Sequence, residues 1–227
     1  IRCLTSDQLV SMLSSPNMSN DLIEFDLSWY QSPVKDVIKT LCTQRIIPGD
    51  ETSPLKFGKL RKLNLSDTDV DDDDVELIVA NLTQLTHLEL GKLNQETLTD
   101  KTITALVSTE RNNPCYPYTS LPNLTHLSIL GSQITDKGWI QLSQSQLLDQ
   151  LEYLNVNQEE PRLGQILQQM LNGEILELPP RFKCLFTTPL VSNLRTMHLG
   201  YLSTDELSNL KKKDATLFQY LDHCDLY

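Results

Sequence analysis

All four histidines of this chain fall at outward positions of a recurring sequence pattern. Histidine changes charge near neutral pH and is the commonest metal ligand, so this grouping is the first candidate for chemistry. If the copies that carry His87 and His126 form neighbouring strands, these two side chains lie roughly 5 Å apart, as two zinc ligands would. Glu89 is the one nearby residue that completes a third position. The ligand set is therefore incomplete, and we expect neither a metal nor a cofactor.

The acidic run that begins at Asp67 invites a calcium interpretation. Asp67, Asp69 and Asp71 match the first three ligand positions of an EF-hand loop. The required glycine is replaced by Asp72, and the twelfth position is Ile78 instead of glutamate. We therefore expect a solvated helix start here, which would attract a basic partner but not hold calcium.

The sequence lacks the signatures of the common enzyme classes. It has no glycine-rich phosphate loop, no GxSxG turn and no HExxH pair, and only 8 of its 227 residues are glycine. The net charge of −11 argues against nucleic acid or an anionic membrane as partner. No apolar run is long enough to span a bilayer. We expect a protein that is not an enzyme and that binds other proteins, including ones with a basic surface.

One six-residue unit, apolar-x-x-apolar-x-apolar, places the histidines. Its seven copies begin at Leu22, Leu60, Leu85, Leu124, Leu151, Leu194 and Leu221. In a strand, alternate side chains point to opposite faces, so the last two apolar residues of each copy point inward and the residues around them outward. A unit that recurs at this interval cannot bury its apolar edge alone and must stack on its neighbours.

The segments that follow three of the copies share a second pattern, in which an apolar residue precedes a capping side chain. They start at Val70-Asp71-Asp72, Leu98-Thr99-Asp100 and Ile134-Thr135-Asp136, and Thr5-Ser6-Asp7 precedes another apolar helix pattern. Asp or Thr at such a place accepts hydrogen bonds from the free N–H groups of a helix start. We therefore expect helices to begin at these four places.

The six-residue unit resembles the leucine-rich repeat, and the capped segments resemble its long-helix subtype, found in ribonuclease-inhibitor, F-box and Zyg-11-type proteins. The resemblance implies an α/β fold: a curved solenoid of about seven repeats, with a parallel sheet on the concave face and helices and loops on the convex face. It covers nearly all of residues 1–227, which we expect to form a single domain and a piece of a longer protein.

The outward positions of the strands are the candidate site for partner binding. They are Glu24, Asp26, Lys62, Asn64, His87, Glu89, His126, Ser128, Tyr153, Asn155, His198, His223 and Asp225. Two interpretations besides the metal site stay open. The residues are either polar positions that the face merely tolerates, or a surface whose flat amphipathic rings contact a partner.

Three long segments between the copies predict loops, which often serve binding in repeat proteins. The turn-forming residues within them are Asn112–Pro117 and Leu178–Arg181. Five scattered cysteines without a CxxC pair favour an intracellular protein, cytoplasmic or nuclear.

The family resemblance implies a protein-interaction module, and specifically the substrate-recognition part of a ubiquitin ligase complex. The alternative is a non-catalytic scaffold or a regulator of another enzyme, such as a small GTPase. One fold serves many functions, so neither the partner nor the oligomeric state follows from the pattern.

Overall fold

The computed structural model describes residues 4–92, 97–108, 121–130, 133–156, 166, 169–170, 172–174, 177–198, 208–209, 212, 219–220 and 224–226. Within these ranges, seven strands form one sheet, all parallel and in chain order. The strands are β1 Glu24–Asp26, β2 Lys62–Asn64, β3 His87–Gly91, β4 His126–Leu130, β5 Tyr153–Asn155, β6 Thr196–His198 and β7 Asp225–Leu226. Each of the seven predicted copies supplies one strand, so the predicted α/β solenoid is confirmed.

The inward positions of the strands form the core. Phe25 and Leu27 of the first repeat are buried, as are the residues of the same rank in the second repeat, Leu63 and Leu65. Consecutive parallel strands need a crossover, and crossovers of one hand place the connecting helices on one face of the sheet. The side chains between the buried ones face the other side, which we call the open face.

The helices follow the strands in regular order. They are α1 Ser6–Ser14, α2 Lys35–Thr43, α3 Asp72–Asn81, α4 Asp100–Val107, α5 Asp136–Ser143, α6 Gln146–Gln150 and α7 Pro180–Thr187, with a 3-10 helix at Pro189–Asn193. Helices α1 to α5 pack each against the next, and α5 packs against α7. None of the helices in the described ranges is both long and apolar enough to cross a membrane.

All four predicted helix starts are confirmed. Thr5 and Asp71 cap α1 and α3 by accepting hydrogen bonds from the third helical N–H, and in both helices that third residue bonds back to the cap. Thr99 and Thr135 cap α4 and α5. The acidic run is therefore a helix start, as predicted.

The first helical residue of one repeat also binds the helix start of the next. The Asp72 carboxylate accepts hydrogen bonds from the backbone N–H and hydroxyl of Thr99, at 2.9 and 2.7 Å, and from those of Thr102, at 3.2 and 2.6 Å. Asp100 repeats the arrangement with the N–H and hydroxyl of Thr135, at 2.8 and 2.7 Å. Burial would raise the pKa of Asp72, but the bonds from Thr102 and Thr99 outweigh it and hold the pKa below the ordinary value. We call these contacts the cap links.

A glycine inside α5 makes room for the second cap link. A Cβ at Gly138 would collide with Oδ1 of Asp100 and with the side chain of Ile134. Glycine costs roughly 1 kcal/mol in a helix interior relative to alanine, so its presence here is explained by the close approach of Asp100.

The long segments agree only in part with the loops that the sequence predicted. Pro180, placed by its pattern in a turn, begins α7, because proline has no N–H to lose at a helix start. The first long segment folds onto the solenoid: Lys56 is 5% exposed, and its Nζ donates to the carbonyls of Leu13 and Ser15 at the end of α1. Asn112–Pro117 lies outside the described residues.

The cap links predict a specific loss of stability. Asp72→Asn replaces a charged acceptor with an amide whose NH2 group cannot accept hydrogen bonds from Thr99 or Thr102. We therefore expect the free energy of unfolding, measured by urea denaturation, to fall by about 1–3 kcal/mol. Asp73→Asn is the matched control, since it removes the same charge from the same helical turn at an exposed side chain. Equal losses in the two variants would show that charge near the helix end, and not the cap link, stabilises the repeats.

Candidate functional site

Strand register orders the open face into two rows that run across the sheet. Row one is Glu24, Lys62, His87, His126, Tyr153, Thr196 and Asp225. Row two is Asp26, Asn64, Glu89, Ser128, Asn155 and His198. Twelve of the thirteen predicted site residues thus share one face, while His223 lies outside the described residues.

Two of the predicted residues differ from expectation. Asp225 pairs with Thr196, whereas the repeat pattern would pair it with His198. An offset of two residues keeps the same face, because side chains alternate with period two. Ser128 is only 4% exposed, since its short side chain stands between the longer Glu89 and Asn155 of the flanking strands. It therefore offers little area to a partner.

Four partly buried rings form a continuous row across β3 to β6. The rings of His87 and His126 stack with centroids 3.9 Å apart and planes 13° apart. Tyr153 follows at 5.7 Å and 14° from His126, and His198 at 5.4 Å and 47° from Tyr153. We call His87, His126, Tyr153 and His198 the ring row. Strand pairing, which holds directly opposite side chains about 5 Å apart, sets the spacing of the first three rings, whereas His198 belongs to row two and contacts Tyr153 diagonally.

Threonines orient the first two rings. The hydroxyl of Thr86 lies 2.9 Å from Nδ1 of His87, and that of Thr125 lies 2.9 Å from Nδ1 of His126. The Thr86 hydroxyl also lies 3.1 Å from the carbonyl of Arg61, which ties it to the neighbouring strand. Sequence analysis missed this role, although Leu-Thr-His-Leu occurs at both places and was a readable signal.

The stacked geometry does not suit a shared metal ion. The ring nitrogens direct their lone pairs within the ring planes, and the planes of His87 and His126 are nearly parallel. The two lone pairs therefore run side by side instead of converging on one ion. Among the residues that the structure describes, no group of three or more His, Cys, Asp or Glu is placed to hold a metal.

The rings are neutral at neutral pH. Burial, then the neighbouring His126 and Lys62, lowers the pKa of His87, against an opposing effect of Glu24. Burial likewise lowers the pKa of His126. Burial, and then the charge of Glu89, raises the pKa of Tyr153, so its phenol keeps its proton. A neutral stack avoids the repulsion that two imidazolium ions at 3.9 Å would suffer.

A polar concavity lies beside His87 at the β1–β3 end of the open face. Its polar lining consists of Glu24, Asp26, Lys62, Asn64, His87 and Glu89. Lys62 Nζ lies 3.6 Å from the Glu24 carboxylate. We call this concavity the acidic pocket, because it holds three carboxylates and one ammonium group.

Two residues of the acidic pocket also have a local structural role. Asp26 accepts a hydrogen bond from the N–H of Ser28 at 2.7 Å, and Asn64 accepts one from the N–H of Ser66 at 2.9 Å. Such bonds two residues onward are typical of Asp and Asn where a strand ends. Their presence on the face is thus partly explained by the fold. Glu89 accepts a longer hydrogen bond, from the Ser66 hydroxyl at 3.4 Å, and is the stronger candidate for contact.

Sequence analysis also missed Trp29, which follows β1. It is 57% exposed and adopts a φ of +64°, in the left-handed region that bulky residues rarely occupy. Its N–H donates a hydrogen bond to the Ser66 carbonyl. Asp67 has the same place in the next repeat, adopts a φ of +59° and donates in the same way to the Gly91 carbonyl. No pattern in the sequence distinguishes an exposed tryptophan from a core one at this place.

Comparisons with known proteins add little. No protein-family model and no curated protein matches the chain. Among solved structures, the chain is similar to the tropomodulin C-terminal domain of Caenorhabditis elegans, at 12% identity and a TM-score of 0.39, over 83% of this chain and 95% of that one. This score is too low to equate the two folds, so the fold rests on the strands and helices described above.

The neutral histidines predict how stability depends on pH. Because their pKa is lower in the folded state, the unfolded chain binds more protons once the pH falls below about 6.5, and the free energy of unfolding should then decrease. The double variant His87→Gln, His126→Gln should lose less stability than the wild type between pH 7.5 and 5.5 in urea denaturation.

One buried carboxyl has the opposite effect on stability as the pH falls, and the comparison of the wild type with the double variant controls for it. Burial raises the pKa of Asp74 to about 6, so this group favours the folded state as the pH falls. Asp74 is present in both proteins, and its effect cancels in the difference between their slopes. Identical slopes would contradict the neutral assignment of the two histidines.

Proposed function

We propose that this protein is a non-catalytic protein-binding module that holds its partner on the open face. The observation that supports the proposal is the ring row, whose four partly buried rings present an amphipathic strip across four strands. Aromatic and imidazole rings contribute strongly to protein interfaces, because they bury a large area and still offer a polar atom.

The ring row is organised before any partner arrives. Hydrogen bonds with Thr86 and Thr125 orient two of its rings, and Tyr153 stacks on the second of them, His126. Fixing side chains on association costs about 0.5–1.5 kcal/mol for each flexible residue, and a pre-ordered strip avoids much of this cost. A tolerated polar surface would not need such oriented rings, which favours the binding interpretation over the alternative of polar positions that the face merely tolerates.

Removal of three rings should weaken partner binding and leave the fold intact. The triple variant His87→Ala, His126→Ala, Tyr153→Ala should bind a native partner recovered by affinity purification with a Kd at least tenfold higher. This corresponds to a loss of about 1.4 kcal/mol or more in binding free energy. The control variant Lys39→Ala, Glu76→Ala, Lys101→Ala changes exposed residues of α2, α3 and α4. Circular dichroism and the Tm of each variant test whether both fold like the wild type. Unchanged partner binding by the triple variant would show that the binding site does not lie on the ring row of the open face.

The identity of the partner separates the ubiquitin ligase role, which the family resemblance implied, from the alternative of a scaffold or regulator. For a ubiquitin ligase substrate receptor, purification of the protein from its own cells should recover cullin and adaptor subunits together with substrates. For a scaffold or a regulator such as that of a small GTPase, it should recover one stable partner without those subunits. Absence of cullin and adaptor subunits from repeated purifications would contradict the ligase role.

A further inference from the structure

We propose that the acidic pocket binds an arginine side chain presented by a basic segment of the partner protein. This inference rests on the proposed function, because it assigns a chemistry to one end of the open face. Three properties of the pocket support it: its charge, the flat ring at its wall and the position of Glu89.

The charge of the pocket is uncompensated. Glu24, Asp26 and Glu89 contribute three negative charges against one positive charge from Lys62, a balance of −2. Lys62 pairs with Glu24. None of the ion pairs found among the described residues involves Asp26 or Glu89. A cationic side chain that enters the pocket would therefore meet two carboxylates that no protein cation neutralises.

The wall of the pocket suits a planar cation. One face of the His87 ring is covered by His126, and the other looks toward β2, where Lys62 stands in register with His87 and turns its ammonium group toward Glu24. Glu89 stands two residues after His87 on the same strand and thus on the same face of the sheet. Because Lys62 pairs with Glu24, a guanidinium group can stack on this ring face and direct its N–H fork at the Glu89 carboxylate. An ammonium group is a point charge and can do only one of these at a time.

Neutral His87 is a requirement of this arrangement. The charged groups that face it are Lys62 on β2, Glu24 on β1 and Glu89 on its own strand, with His126 stacked on it from β4. Burial, then the neighbouring His126 and Lys62, lowers the pKa of His87, so the ring carries no charge at pH 7.5. Protonation toward pH 5.5 would repel the arginine, and binding should weaken in that direction.

The test uses two peptides of equal charge, (Arg-Ser)4 and (Lys-Ser)4, titrated into the whole chain and followed by two-dimensional NMR at pH 7.5. We expect the arginine peptide to bind at least fivefold more tightly and to shift the ring signals of His87. Glu89→Gln should reduce its affinity to the level of the lysine peptide. Glu76→Gln removes the same charge from the exposed face of α3 and should have no such effect.

Equal affinities for the two peptides, or equal effects of the two glutamine variants, would overturn the proposal, because both indicate attraction to the net charge of the chain and no arginine pocket. Peptide binding without shifts at His87 would overturn it as well. These outcomes leave the proposed function intact if the ring variant still loses its native partner. Normal partner binding by the ring variant would reject the proposed function, whatever the peptides do.

Discussion

Parallel pairing in register is the constraint on which the rest of this structure depends. It holds equivalent residues of successive repeats about one strand spacing apart, on the sheet and at the helix starts alike. On the open face it turns two residues per repeat into two continuous rows. On the helical side it brings Asp72 within reach of Thr99 and Asp100 within reach of Thr135. The contacts of a side chain in this fold are thus determined largely by the residue at the same place in the neighbouring repeat.

The fold was largely predictable because the repeat pattern encodes this constraint directly. The apolar spacing predicts seven strands, and Asp71, Thr99 and Thr135 mark three of the helix starts. Most of what the pattern could not predict depends on contacts between repeats. Gly138 lies in a helix because Asp100 of the preceding repeat approaches it closely, and the offset of Asp225 is visible only in its pairing with Thr196. The start of α7 at Pro180 was missed for a local reason, since proline suits a first helical position as well as a turn.

The site was predictable as a list of residues and not as a geometry. Alternation in a strand places twelve of the predicted residues on one face, but it does not tell which are exposed, stacked or structurally occupied. Ser128 is covered, Asp26 and Asn64 accept local backbone bonds, and His87 and His126 stack with parallel planes. These outcomes depend on side-chain length and ring orientation, which the alternation of apolar residues leaves open.

The order of charges along the two rows explains why the rings are neutral and the pocket is acidic. Like charges directly opposite each other on paired strands are destabilising. Row two separates Asp26 from Glu89 by the uncharged Asn64, so the two carboxylates do not stand directly opposite each other on paired strands. In row one His87 stands between Lys62 and His126, so protonation of both rings would place three positive charges side by side. The face therefore combines an uncharged ring row on β3 to β6 with a negative pocket at the β1–β3 end. A partner that covers both would place apolar area against the rings and positive charge against the pocket.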